Sequence, residues 1–480
     1  MPPPPESLEP VGRLRRRLAD ELSAQFDLSA PIRFARAPGR LDVMGGIADY
    51  TGSLVCEMPL DRAAAVALQP RPDREVQVFS FNLLDEHLPF TVRMPIEALA
   101  GSADALRREF ADPGRRWAGY LAGCLHILHV EGLADLSRAP GLNLAVLSTV
   151  PLGAGVSSSA AVEVAAMSAL VDHFGLRPAL DPLRVAAMCQ RVENQVVGAP
   201  CGIMDQVTSC AGRAGRLLRL LCQPHELRDD LPVPEGMRFV GINSRVKHSV
   251  GGGQYGRTRC AAFMAHRMIL EKMREMGRAA GRDLAADPMN GYLANLDPDD
   301  YKRYFRPYLP EFMAGRDFLA RFGGTIDTAT RVEPDQTYPV QHAADHHVLE
   351  AERVRKFAAF VEEAARHPHG SRLQADPLDK AGHLMYASHL SYGVDAMLGA
   401  DECDLLVDLV RRREKQGLYG AKITGGGAGG TVAVLAAAAP AADAALAAIM
   451  DEYARATGNR PELFDGTSPG AWHAQPGGLA

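Results

Sequence analysis

Short unbroken apolar runs alternate along the chain with longer stretches in which apolar residues return every three or four positions, and the two habits predict different elements. Leu142 to Val150 is a run of the first kind and predicts a buried strand; Ala160 to Phe174, with few helix breakers, predicts a helix just after it. Arg216 to Cys222, Met237 to Asn243 and Thr431 to Leu435 are further strand-like runs, and Gly202 to Ser209 reads as the opening of a helix. Two stretches carry a one-sided apolar stripe, Leu14, Leu18 and Leu22 near the N-terminus and Val185, Cys189, Val192 and Val196 farther on. Val432 to Met450 is the most apolar stretch of all, but Pro440 and Asp443 interrupt it and alanine dominates it. It therefore predicts a strand followed by a helix and no membrane span.

The charged, proline-rich loop Gln223 to Gly236 parts two strand-like runs and marks the expected boundary between domains covering 31–230 and 231–465. Residues 1–30 are expected to form a tail, with Pro2 to Pro5, and a helix, and residues 466–480 a second tail that includes Trp472.

Glycines gather where these elements join. Between the strand ending at Val150 and the helix beginning near Ala160 lie Pro151, Gly153, Ala154, Gly155, Val156, Ser157, Ser158 and Ser159. Gly153 and Gly155 let backbone N–H groups approach an anion, the serines are expected to cap the helix, and the positive helix end faces the same point. No Gly-Lys-[Ser/Thr] follows, so this is not a Walker A loop. A second cluster, Gly425, Gly426, Gly427, Ala428, Gly429 and Gly430, joins Tyr419–Thr424 to the next strand, and so dense a run suggests close backbone approach. A third segment, Ala37 to Tyr50, sets Arg40, Asp42 and Asp49 among glycines.

Composition narrows the setting. With 480 residues, 47% hydrophobic and 23% charged, the chain has enough apolar mass for a large core and two domains. A net charge of -6 provides no general attraction for nucleic acid, and Arg13, Arg15, Arg16 and Arg17, followed by Asp20 and Glu21, read as a solvated helix face. The N-terminus has no signal-like apolar centre, so a cytoplasmic location away from membranes is expected. The eight cysteines, without a Cys-x-x-Cys pair, read as reduced thiols that pack as small apolar groups. His342, His346 and His347, with Asp345 between them, have a spacing that could hold a metal but read as surface histidines.

In this order, Ala37–Tyr50, Val150–Ala161 and Gly425–Gly430 resemble the three signature motifs of the GHMP small-molecule kinases. Gly198–Gln206, Asn243–Ser249 with Tyr255 behind it, and Gly382–His389 are similar to the sugar kinases of that family, the galactokinases. Asp42–Leu54 and Asn290–Leu296 resemble the kinase part of plant L-arabinokinases. The second of these lies in a polar, irregular insertion, about 285–348, that galactokinases lack and that could cover the sugar site. The resemblance implies a two-domain α+β GHMP kinase fold with the active site in the cleft between the domains, and ATP and Mg2+ as cosubstrate and cofactor.

The same resemblance implies roles. Asp205 is the catalytic carboxylate beside the sugar hydroxyl; at a helix start the dipole keeps it ionised and a poor base, so Arg40 is expected to help by stabilising charge on the attacking oxygen and the γ-phosphate. Ser159, or Ser158 in the adjacent register, and Glu193 would bind Mg2+, and Glu193 read from its helix alone would be an exposed residue at the edge of the apolar stripe. Sugar-binding positions are Gly46, Ile47, Asp49, Tyr50, Gly202, Asp205 and Tyr255. Galactokinases carry Glu-His where this chain has Gly46 and Ile47, and the glutamate accepts a bond from the galactose 6-hydroxyl. L-arabinopyranose lacks that hydroxymethyl group, so an unpaired acceptor costing about 1–3 kcal/mol is avoided by the change. The expected activity is ATP-dependent phosphorylation of the anomeric hydroxyl of L-arabinose. The alternatives are a galactokinase with altered contacts, a kinase for a heptose or uronic acid, and a non-catalytic sugar sensor.

Overall fold

A computed structural model of the chain describes residues 9–246 and 253–474. Pro2 to Pro5, the Lys247–Ser249 part of the Asn243 motif and the last six residues lie outside the described residues.

Two sheets organise a two-domain α+β fold. The first runs Thr91–Pro95, Glu75–Ser80, Gly141–Ser148, Leu54–Arg71, Arg216–Leu221, Glu226–Leu227, with Arg33–Met44 paired to Leu54–Arg71 and Leu231–Pro232 to Arg216–Leu221. The second, all antiparallel, runs Leu418–Ile423, Thr431–Ala437, Met237–Asn243, Glu462–Phe464. The long strand Leu54–Arg71 is buried from Val55 to Gln69 because both its faces are covered. Ala65 and Ala67 meet Leu14 and Leu18 of the helix Pro10–Glu21, while Ala64, Val66 and Leu68 face the main core with Leu125, Val164 and Leu170. Alternation of period two thus divides one apolar strand between two cores.

The second sheet is divided in the same way. Phe239, Ala433, Leu435 and Phe464 join the main core, whereas Val240, Ile242, Val432 and Val434 pack with the helices Gln254–Ala279, Asp401–Arg411 and Pro440–Thr457. Among the described residues no helix is long and apolar enough to cross a membrane. The eight cysteines are free thiols, all buried except the half-buried Cys201.

Two regions depart from the sequence reading. Residues 466–474, left there as tail, lie along the first sheet's domain: Asp61 N donates to Gly466 O (3.1 Å), Trp472 N to Cys210 O (2.9 Å), and Arg177 sits 4.6 Å from the Trp472 ring centre. His346 and His347 are not surface residues but wholly buried on the helix Val340–Ala365. His347 touches the hydroxyls of Tyr50 (3.0 Å) and Thr51 (3.1 Å), and His346 that of Ser391 (3.0 Å). Burial, then Arg259, pushes the His347 pKa down to about 3, so it is a neutral hydrogen-bonding core residue. His342 is partly exposed and lies 3.2 Å from Glu311.

Candidate active site

Arg40 stands at the centre. The strand Arg33–Met44 carries register shifts between Pro38 and Arg40 and between Asp42 and Met44, which re-aim its side chains at the junction of the two sheets. Gly39 lies against the first glycine loop so closely that a Cβ would come 2.6 Å from Val156 O, and Arg40 N donates to the same oxygen at 3.1 Å. Arg40 Nε donates to Asp205 Oδ1 (2.9 Å), Nη1 to Gly155 O (2.6 Å), and Glu57 Oε2 lies 3.3 Å from Nε. Burial works against the guanidinium charge, but Asp205, Glu57 and Asp42 more than offset it, and its pKa is raised. Arg40 is a permanent cation.

The two glycine loops meet backbone to backbone. Gly153, Gly155 and Ser157 all have positive φ (72°, 71° and 60°). The serines are expected to cap the helix Ser158–His173; Ser157 holds the cap position in a left-handed conformation, but its hydroxyl makes no cap bond. The amide groups of the first turn are therefore left to other acceptors. Opposite, a Cβ on Gly430 would lie 2.7 Å from Ala154 O and one on Gly425 2.7 Å from Gly155 O and 3.0 Å from Arg40 Nη2. Thr431 Oγ1 donates to Ala154 O (2.7 Å) and locks the pair. Gly427 and Gly429 also have positive φ, and Gly426 is half-buried at the loop tip.

A group of carboxylates faces this junction. Asp205 is the second residue of the helix Met204–Ala211, with 24% of its side chain exposed. Glu193, read from its helix as an exposed edge residue, is only 6% exposed, because the π-turn Val192–Val197 that follows the helix Pro182–Arg191 swings it inward. The Ser159 hydroxyl and Gln206 Nε2 (3.0 Å) donate to it. Burial and the Asp205 charge push its pKa up to about 7. Glu163, fully buried on the same helix as Ser159, takes a second bond from Gln206 (3.3 Å) and has one oxygen without a partner. A carboxylate and a hydroxyl within hydrogen-bond reach of each other, both oxygen donors, fit Mg2+ in a site completed by phosphate and water.

The remaining motif residues cluster beside Asp205. Gly46–Thr51 is a 3-10 turn carrying Gly46, Ile47, Asp49 and Tyr50. Gly202 is glycine by necessity, since a Cβ there would lie 1.6 Å from Asp49 Oδ2. Burial, reinforced by Asp205, pushes the Asp49 pKa up to about 7, with Arg259 pulling the other way. Tyr255 meets Tyr50 edge-on (6.0 Å between ring centres), and the Arg259 guanidinium covers Tyr50 at 4.9 Å. Arg259 forms a two-point pair with Asp327 of the insertion (2.8 and 3.0 Å) and donates to Cys201 O (3.0 Å).

The structure thus brings Arg40, Asp205, Ser159, Glu193, Asp49 and Tyr50 together with the two glycine loops, and adds residues not singled out from the motifs, four of them Arg259, Asp327, Glu163 and Lys422. Arg259, Asp327 and Glu163 sit on elements whose sequences read as plain helix or irregular loop. The fourth, Lys422, is a lone charge in the strand Leu418–Ile423, and that isolation was the available signal; it pairs with Asp42 at 2.6 Å.

Family models agree with this reading in three places: GHMP kinases N terminal domain over residues 120–213, GHMP kinases C terminal over 373–455, and the galactokinase galactose-binding signature over 21–70. L-arabinokinase of Arabidopsis thaliana is 36% identical over 496 aligned residues, covering 93% of this chain but 46% of the relative, so the chain spans about half of that protein's length. Galactokinase of Chloroflexus aurantiacus is 33% identical over 435 residues, 90% of each chain. In fold, the crystal structure of Lactococcus lactis galactokinase complexed with galactose matches with a TM-score of 0.71 at 20% identity, over 95% of this chain and 98% of that one. With its motifs converging on one buried arginine and a galactokinase relative matched over nine-tenths of both chains, the chain belongs to the GHMP kinase family, in the sugar-kinase branch of galactokinases and L-arabinokinases.

Proposed function

We propose that the chain transfers the γ-phosphoryl group of ATP to the anomeric hydroxyl of L-arabinose, giving β-L-arabinose 1-phosphate and ADP. The observation that carries this reading is the position of Arg40, which bonds the Asp205 carboxylate and the Gly155 carbonyl of the phosphate loop at once. An anomeric oxygen beside Asp205 then lies next to a phosphoryl group held by the loop, with a fixed positive charge between them. The oxygen attacks the γ-phosphorus, the bond to the β–γ bridging oxygen breaks, ADP leaves, and the sugar proton passes to Asp205. A carboxylate already bonded to a guanidinium is a weak base, which suits a loose transition state in which the proton leaves late.

The open amides of the Ser157–Ser159 turn and the Gly425–Gly430 backbone hold the triphosphate from two sides. Ser159 and Glu193 would hold Mg2+, which when bound neutralises phosphate charge. Asp49 accepts from ring hydroxyls, and the edge-to-face pair Tyr50 and Tyr255 stands beside it. A charge-free stretch at Gly46 and Ile47 favours a sugar without a hydroxymethyl group.

Initial rates with ATP and Mg2+ on L-arabinose, D-galactose, D-fucose, glucuronate and heptoses, with phosphorus NMR of the product, test this. The highest kcat/KM is expected for L-arabinose with phosphorus on the anomeric oxygen. A preference for D-galactose would move the assignment to a galactokinase, and phosphate on another carbon would refute the placement of Asp205.

A further inference from the structure

Position 46 bears no side chain, and another residue fills the space. A Cβ built on Gly46 would lie 1.7 Å from the Tyr392 hydroxyl and 2.9 Å from both Tyr392 Cζ and Asp42 Oδ2. Tyr392, on the helix Arg372–Val394, is fully buried. Its hydroxyl spends its one proton on Gly425 O (2.9 Å) and accepts from Ile47 N (2.9 Å). The ring is held from the side by His346 (ring centres 4.9 Å apart, 82° between planes) and by Lys422 Nζ at 5.1 Å. A residue 345 positions from Ile47 in sequence therefore fixes the turn that forms one wall of the proposed sugar pocket and ties it to the glycine loop.

We propose that Tyr392 determines sugar specificity: its hydroxyl occupies the side-chain volume of residue 46, so that wall offers a ligand no side chain of residue 46 and no uncommitted polar group, and accepts a pentopyranose in preference to a hexose. The inference rests on the sugar 1-kinase reading above and deepens it. The Tyr392 hydroxyl gives its proton to Gly425 O and already accepts from Ile47 N, and the neighbouring Asp42 carboxylate is taken up by Lys422, Gly46 N and Gly425 N. A hexose would bury its hydroxymethyl oxygen there without a partner, a loss that selects against it by roughly ten- to hundred-fold. Gly46 and Tyr392 act as a unit, because no side chain fits at 46 while the tyrosine stands.

The test is a cycle of Gly46→Glu, Tyr392→Leu and the double variant, with kcat/KM on L-arabinose and D-galactose and the thermal midpoint of each protein. Gly46→Glu alone is expected to lower the midpoint and to cut kcat/KM on both sugars at least about tenfold, with no gain for galactose. In the double variant the midpoint rises above that of Gly46→Glu, with the Asp42 carboxylate beside position 46 keeping part of the loss, and the galactose-to-arabinose ratio rises at least about tenfold, more than the product of the single effects. If the glutamate variants do not fold, Tyr392→Leu alone decides, with an expected rise in the ratio of about threefold or more, and Tyr392→Phe, which keeps the ring, serves as the folded control with the smaller change. A ratio unchanged by Tyr392→Leu, or a Gly46→Glu single variant that shifts it as far as the double, overturns the inference while leaving the kinase reading intact. A wild-type protein inactive on every aldose overturns both.

Discussion

Lys422 Nζ lies 2.6 Å from Asp42 Oδ2, and neither side chain has any exposure to solvent. Asp42 also accepts from Gly46 N (3.0 Å) and Gly425 N (3.1 Å), so one buried carboxylate holds the turn at Gly46 and the glycine loop to the same point. Removing the lysine strips that buried charge of its direct ion-pair partner. Lys422→Met is expected to cost about 3–5 kcal/mol in urea unfolding, and the Asp42→Asn/Lys422→Met double variant to recover much of it, because a neutral pair no longer buries an ion.

Asp49 gives the ligand-free protein a pH dependence of definite sign. Its carboxyl has a folded pKa of about 7 against an ordinary 3.8. Between those values the native state holds the extra proton, so its contribution is fully present below the ordinary value and is lost as pH rises through about 7, at up to about 1.4 kcal/mol per pH unit. Glu193, also pushed up to about 7, adds to the same slope. Urea unfolding followed from about pH 5 to pH 8 should show stability falling, and Asp49→Asn should flatten the curve.

The insertion reaches the proposed sugar site through Asp327, which is 3% exposed and pairs with the 8%-exposed Arg259. Arg259 in turn covers Tyr50. Asp327→Asn keeps the shape and removes the charge that anchors the guanidinium. The expected outcome is a sugar KM raised about tenfold with the ATP KM within about twofold, since the change touches one side of the cleft. Equal effects on both constants would show that the insertion acts on the whole fold.

Much of the fold was legible because its strands and helices are locally consistent: Gly141–Ser148 followed by Ser158–His173 is apolar run, glycine loop, then helix, and the glycines mark where backbones touch. Glu193 was harder, since its burial depends on a π-turn that no apolar spacing announces. His346 and His347 read as surface because polar residues surround them in sequence, whereas their partners Ser391, Tyr50 and Thr51 are supplied by distant segments. Tyr392 was invisible for the same reason. Its meaning lies in the absence of a side chain at Gly46, a contact that only folding creates.

Asp205→Asn conserves shape and leaves Arg40 its neighbour while removing the proton acceptor. The decisive comparison is kcat with ATP, Mg2+ and L-arabinose for this variant and the wild type, alongside calorimetric binding of the sugar. Turnover should fall by about 10²–10⁴-fold with sugar binding retained. A variant that binds and turns over like the wild type would show that the proton does not leave through Asp205, and that the Arg40–Asp205 pair is a structural bridge.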